Sequence, residues 1–277
     1  MTQRFGGPHT IFKLAVLELY AEAYAAIMGT QHGLGCVYID AFASDGDGLT
    51  RDGQKYKGSV RLCLEFNPPF SELHFIDSEL SNVKRLEAIT NATNQNTKVH
   101  FGDANDVLPE IIRQIDWTKN RGLIFIDPFG LQLNWPTLQT ILQEGMVDVW
   151  ILFPVFGIRR QLTKQPEEIT TESRNRLNQF FGDESWLGAY DSAPDLFEMD
   201  LREITEDVLN RITQIYVSKL NPITSYVAEP IPLFENNIHQ FSLLFCMSNK
   251  SDKAIKLARR LFTETKHRVT RKFSQIS

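Results

Sequence analysis

Cysteine is scarce in this chain, and several other absences narrow its class as sharply. Of 277 residues only three are cysteines, Cys36, Cys63 and Cys246, far apart and each in an apolar stretch. That excludes a disulfide framework and any Cys-x-x-Cys metal knuckle, and the expectation is reduced core thiols in a cytoplasmic protein. His9, His32, His74, His100, His239 and His267 form no close-spaced pair, so no His-ligated metal is expected. The opening MTQRFGGPHT has no apolar signal core, and no apolar run approaches the ~20 residues of a membrane span. Positive charge is not in excess either. A net charge of −5 argues against wholesale coating of a polyanion, while leaving room for a local basic face. Hydrophobic content of 42% is ordinary for a soluble globular protein and suffices for a full α/β core.

What is present is a rhythm. Four short apolar runs in the first half each stop at an aspartate: VYID at Asp40, LHFID at Asp77, KVHFGD at Asp103 and LIFID at Asp127. Such runs, closed by polar turns and separated by helical stretches, read as buried parallel strands. Amphipathic helices are expected at 10–28, 59–66, 79–90, 105–116 and 135–144, with Asn134 capping the last and Pro136 in its first turn. A fifth strand is VDVWILFP. The alternation implies right-handed crossovers and a mostly parallel, doubly wound sheet. Residues 157–197 break the rhythm and read as a polar insert on the ligand side of a single domain spanning 1–277. A helix at 198–220, carrying Leu201 and Ile204, leads to TSYVAEPIPLF and HQFSLLFCMS, joined at Asn236-Asn237 and so antiparallel. A last helix covers 252–268. Trp135, Trp150 and Trp186 read as core or lid residues.

Ligands of such sheets bind beyond the carboxyl ends of the strands, where these four acids would collect and repel one another without a cationic or donor-rich partner. The loop after the first strand, Asp40-Ala-Phe-Ala-Ser-Asp-Gly-Asp-Gly48, lacks the Gly-x-Gly-x-x-Gly spacing, and Asp45 and Asp47 would repel a pyrophosphate. S-adenosylmethionine suits the edge better, with its sulfonium, ammonium, ribose diol and adenine amine. On this reading Asp40 orders the loop or reaches the ammonium, Asp77 takes the ribose and Asp103 the adenine amine. Asp127 stands where a methyl group is delivered. Phe42, Ala43, Ser44 and Gly46 of the loop, with Ser78 and Ala104 after their aspartates, complete the cofactor contacts. Any one of these acids could instead cap the next helix; the four in register carry the ligand reading.

The succession HTIFKLAVLELY, YIDAFASDGDG, GSVRLCLEF, LHFIDSE, FGDAND, LIFIDPFGLQLNW and DVWILFPVFGIRR resembles the three-Cys-motif partner protein (TcmP) family over residues 9–160. The resemblance implies a Rossmann-like class I methyltransferase fold with a C-terminal antiparallel hairpin, S-adenosylmethionine as cofactor, and a three-Cys-motif protein as partner. The cysteines of the family name belong to that partner, not to Cys36, Cys63 or Cys246. Where the family reads Phe-Ala-Gly-x-Gly, this chain has Phe42-Ala43-Ser44-Asp45-Gly46. Asp127-Pro128-Phe129-Gly130 is similar to the Asp-Pro-Pro-aromatic motif of methyltransferases acting on exocyclic amines, which implies Asp127, Pro128 and Phe129 as catalytic residues. The alternative is a tight turn with a core phenylalanine.

Arg159 and Arg160 follow the fifth strand, and Lys253, Lys256, Arg259, Arg260, Lys266, Arg268, Arg271 and Lys272 crowd the last helix. A basic stripe can neutralise nucleic-acid phosphates, though a solvated helix face is the commoner explanation. Three functions are therefore expected in order: a methyltransferase, a cofactor-binding adaptor without turnover, and a Mg²⁺-dependent phosphotransferase or nuclease.

Overall fold

Every strand of the first half is flanked by segments that can cover it, and the chain uses both faces. A computed structural model describes residues 7–31, 33–49, 55–190 and 206–274. Helix α1 (Pro8–Gly29) precedes β1 (Gly35–Asp40). A small hairpin, β2 (Asp47–Leu49) and β3 (Lys55–Lys57), then leads to α2 (Ser59–Leu64). The repeating units follow: β4 (Glu72–Asp77) and α3 (Leu80–Thr90), β5 (Thr97–Phe101) and α4 (Ala104–Gln114), β6 (Asn120–Ile126) and α5 (Trp135–Glu144). β7 (Val147–Phe153) runs into α6 (Val155–Arg159) and α7 (Thr171–Phe181). After α8 (Glu206–Leu220) come β8 (Tyr226–Val227), β9 (Ile231–Glu235), β10 (Ile238–Met247) and α9 (Asp252–Ser274). No helix among the described residues is long and apolar enough to cross a membrane.

The main sheet is ordered β5-β4-β1-β6-β7-β10-β8, with β9 also paired to β10. β1, β4, β5, β6 and β7 run parallel, and β10 is antiparallel to β7. This is the doubly wound sheet closed by an antiparallel hairpin that the sequence predicts, in the class I methyltransferase-like arrangement. Chain order reverses direction at β1, so the topological switch point lies between β1 and β6.

Period-2 alternation divides the core between the two faces. Ile124, Ile126, Val149, Ile151 and Phe153 pack on the side of α4, α5, α7 and α8. Leu123, Phe125, Trp150 and Leu152 pack on the side of α1 and α9. β6 and β7 are buried on both faces, which is why they read as unbroken apolar runs.

Several differences from the sequence expectation have plain physical reasons. The 157–197 segment is not simply polar and irregular: Phe180 and Phe181 of α7 and the nearby Trp186 are wholly buried, the two phenylalanines against Phe153. Its residues 191–197, and the Leu201 and Ile204 positions of the expected 198–220 helix, lie outside the described residues. The run TSYVAEPIPLF is two strands, because after Ala228, whose N–H still donates to Phe245 O at 2.9 Å, Glu229-Pro230 interrupts the pairing with β10. His74 and His100, distant in sequence, stack on neighbouring strands with Nδ1 of His74 3.0 Å from Nε2 of His100. The last helix continues past 268 to Ser274. The Asn236-Asn237 turn does adopt φ of 50° and 61°, the left-handed pair that a tight hairpin requires.

Candidate functional site

A cleft of about 1730 Å³ opens at the carboxyl edge of β1, β4, β5 and β6. Of the residues named from sequence, Phe42, Ala43, Ser44, Gly46, Asp77, Ser78, Asp103, Ala104, Asp127 and Phe129 line it. Asp40 and Pro128 do not.

Asp40 is fully buried beneath the loop that it begins. Its Oδ1 accepts from the Phe42 N–H at 3.3 Å, while Oδ2 is buried without a hydrogen-bond partner among the described residues. Burial pushes its pKa up to about 7; Asp127 adds to the rise, and the Ser59 hydroxyl, the Phe42 amide and Lys13 oppose it. Asp40 therefore organises the loop from below. The loop is pinned from both sides, as Ala41 N–H donates to Phe125 O at 3.0 Å and Ala43 N–H to Ile76 O at 2.9 Å.

Directly after those anchors the chain turns with Ser44 at φ +56° and Gly46 at +80°. Gly46 meets this at no steric cost. Ser44 carries a Cβ into the left-handed region, which costs on the order of 1–2 kcal/mol. Ser44→Gly is therefore expected to stabilise the fold by about 1 kcal/mol, measured by urea unfolding. A loss of stability would mean that the serine hydroxyl makes a contact outweighing the strain.

Asp77 and Asp103 each hold the local backbone and also line the cleft. Asp77 Oδ1 accepts from the Glu79 N–H at 2.7 Å and from Asn82 Nδ2 at 3.2 Å. Asp103 is the N-cap of α4, its Oδ1 accepting from the Asn105 N–H at 2.8 Å. Among the described residues no protein group bonds to Oδ2 of either, so each aspartate leaves one carboxylate oxygen for the cleft. Asn105 then ties this corner to the next. Its Nδ2 donates to Gln132 O at 2.7 Å, and its Oδ1 accepts from the Asn134 N–H at 2.8 Å and from Thr137 Oγ1 at 3.0 Å. Asn134 holds the N-cap position of α5 without a side-chain cap bond, contrary to expectation; Pro136 in the first turn offers no N–H to it, and its own N–H donates to Asn105.

The cations that sequence reasoning did not supply come from inside the chain. Lys13 of α1 forms an ion pair with Asp127 Oδ2 at the floor of the cleft. Arg85 pairs with Asp45 at 2.7 Å, and Arg61 Nη2 with Asp47 Oδ2 at 2.8 Å. The expected repulsion between loop acids and a pyrophosphate is thereby offset, so that argument for the ligand falls. A structural one replaces it. In dinucleotide sites the pyrophosphate meets a helix N-terminus directly after the first turn, whereas here the β2–β3 hairpin stands between that turn and α2.

The Asp-Pro-Phe-Gly corner is a tight turn but not a core plug. Pro128 is buried, Gly130 takes φ +78°, and Phe129 is 62% exposed at the cleft. From the other wall, Gly157, Arg160, Gln161, Arg176 and Gln179 face the same space. Arg160 has no ion-pair partner among the described residues, and Arg159 does not line the cleft. No group of three or more metal-ligating side chains forms among the described residues.

No family model and no curated protein matches this sequence, so the likeness to the TcmP family rests on the motifs alone. Among solved structures, the chain is similar to protein LPL1258 from Legionella pneumophila str. Philadelphia 1, of the family-model DUF519. That match has 12% identity and a TM-score of 0.52, over 89% of this chain and 90% of that one. Weaker matches include magnesium protoporphyrin IX methyltransferase (ChlM) from Synechocystis PCC 6803 with bound SAM, at 9% identity and a TM-score of 0.38 over 86% and 81% of the two chains. The trans-methyltransferase CalH complex with SAH gives 12% identity and a TM-score of 0.36 over 86% and 59%. At these identities the LPL1258 likeness speaks to the fold alone, that of a mostly parallel, Rossmann-like α/β sheet.

Proposed function

We propose that this protein is an S-adenosylmethionine-dependent methyltransferase. The observation that carries the reading is the ordered placement of Asp77, Asp103 and Asp127 on one cleft at the switch point of a methyltransferase-like sheet. The donor set fits the cofactor. Asp77 has a carboxylate oxygen for the ribose hydroxyls, Asp103 one for the adenine amine, and the pinned 41–46 loop borders the methionine end.

Bound there, the cofactor supplies a methyl group already activated by the sulfonium charge. The protein's part is positioning. The Asp127 carboxylate accepts a hydrogen bond from the N–H of an acceptor amine, which holds its lone pair toward the methyl and keeps the nitrogen nucleophilic. Lys13 neutralises Asp127 until an acceptor displaces or shares it. Phe129 offers a face on which a planar acceptor can stack, and the 157–190 segment supplies the opposite wall. TcmP-type partnership with a three-Cys-motif protein belongs to the same proposal.

A thermal-shift panel tests this. At about 100-fold excess over Kd, S-adenosylmethionine or S-adenosylhomocysteine is expected to raise the midpoint by about 5–10 °C. ATP, NAD and Mg²⁺ are expected to give no comparable rise. A rise with Mg²⁺ and none with the adenosyl cofactors would favour the phosphotransferase reading instead. The adaptor reading draws on two observations, the strained Ser44 and the occupation of Asp127 by Lys13. It predicts the same thermal shift without turnover.

A further inference from the structure

Helix α9 concentrates positive charge in a chain that is acidic elsewhere. From 252 to 274 it carries eight Lys and Arg against two acids, although the whole chain has a net charge of −5. Several of these cations are spoken for: Arg259 lies over the Tyr226 ring, Arg260 pairs with Glu264 and Lys266 with Glu229. Arg268, Arg271 and Lys272 are exposed and have no acidic partner among the described residues. They stand at i, i+3 and i+4 on one face of the helix.

These three side chains and His267 border a groove of about 440 Å³ whose other wall is Ala15, Glu18 and Leu19 of α1. Among the described residues that line the groove, Glu18 is the one acid. The same helix, one turn earlier, lines the main cleft with Thr10, Lys13 and Leu14. Phe273 packs on Phe12 at 5.1 Å between ring centroids, which fixes the carboxyl end of α9 beside the cleft end of α1. From Lys13 to Glu18 the rise along α1 is about 7.5 Å, the span of one to two nucleotides of an extended strand.

The geometry points to Arg268, Arg271 and Lys272 as a phosphate-binding exosite for single-stranded nucleic acid, placed so that a neighbouring base enters the cleft toward Phe129. Three cations without an acidic partner among the described residues, a short step from a cleft lined by the exposed Phe129 and by Arg160, give the combination of backbone track and stacking face that such strands require. An anionic membrane is the poorer fit, because none of the exposed large apolar side chains lies on α9 to anchor it in lipid. The acceptor half of this inference rests on the methyltransferase reading. The binding half does not.

Fluorescence anisotropy with a labelled mixed-sequence single-stranded 20-mer, as RNA and as DNA, tests the exosite on the full chain. The wild type is expected to bind at low salt. An Arg268→Ala/Arg271→Ala/Lys272→Ala variant is expected to lose at least ~10-fold in affinity, and its log K against log salt slope to flatten by about 2. Lys253→Ala/Lys256→Ala, on the same helix but away from the groove, should bind like the wild type. Failure of the wild type to bind, or an unchanged affinity and slope in the triple variant, overturns the proposal. So does tighter binding to phosphatidylserine vesicles or to polyglutamate than to either oligonucleotide. Thermal shift with S-adenosylmethionine, repeated on the triple variant, separates the two ideas. Loss of oligonucleotide binding with the shift intact supports the exosite, whereas oligonucleotide binding without any cofactor shift removes the methyltransferase reading and leaves the exosite standing.

Discussion

Replacing Asp148 with asparagine is expected to stabilise the protein above pH 7 by roughly 2–4 kcal/mol and by much less near pH 5. Asp148 lies in β7, buried, where Tyr20 Oη donates to its Oδ2 at 2.6 Å. Burial pushes its pKa up to about 7, against which the tyrosine bond works. The unfolded chain releases this proton near pH ~4, the folded protein only near 7. Stability from this group is therefore present in full below about pH 4 and is lost as pH rises through 7, after which the penalty is constant. An asparagine side chain there would keep an acceptor for Tyr20 without the charge. Asp40, also at about 7, adds a second loss of the same sign in the same window. His74, which burial lowers to about 4, and His100, lowered for the same reason, work the other way. Their contribution is present above the unfolded histidine range and lost as pH falls through the folded value. Opposing slopes between about pH 4 and 6.5 place the wild-type optimum on the mildly acidic side. Urea unfolding of wild type and Asp148→Asn at pH ~5, ~7 and ~9 checks this. A variant less stable than wild type at the highest pH would show that Asp148 is held as a compensated anion.

Asp127→Asn is expected to lower methyl transfer by about 10²-fold or more while leaving the cofactor affinity within ~10-fold. The substitution keeps the shape and one acceptor oxygen, but removes the charge that orients the acceptor amine and holds Lys13. In the proposed binding mode the purine and ribose ends are held by Asp103 and Asp77 rather than Asp127, so most binding should survive. Tritiated methyl transfer into nucleic-acid, protein and small-amine fractions of cell extract is the measurement. Equal incorporation by wild type and variant would remove Asp127 from the chemistry. No incorporation by the wild type, with the cofactor bound, would favour the adaptor.

The alternation of apolar runs with helical stretches made the sheet legible, because buried parallel strands and their covering helices leave strong local signals. The positions of Asp77, Asp103 and Asp127 on one edge followed from strand direction alone. What local sequence could not carry was contact across the chain. Lys13 meets Asp127 across 114 residues, and Arg61 and Arg85 reach back to the first loop. Their partners turn an apparent acidic cluster into a set of neutralised pairs, so the ligand argument had to move from charge to topology. The burial of Asp40 was hidden for a related reason. A strand-end aspartate reads the same whether the next loop lies beside it or folds over it. Phe129 shows the converse: Asp-Pro-Phe-Gly suggests a core phenylalanine as readily as a presented one, and only the folded turn, with Gly130 in the left-handed region, aims it at the cleft.

The central claim, that this cleft holds S-adenosylmethionine through the acids at the strand ends, is tested most directly by isothermal titration calorimetry on wild type and Asp77→Ala. Micromolar binding by the wild type, weakened by ~10-fold or more in the variant as the ribose bonds are lost, is the expected result. No heat of binding to well-folded wild-type protein, or equal affinity in both, would contradict it.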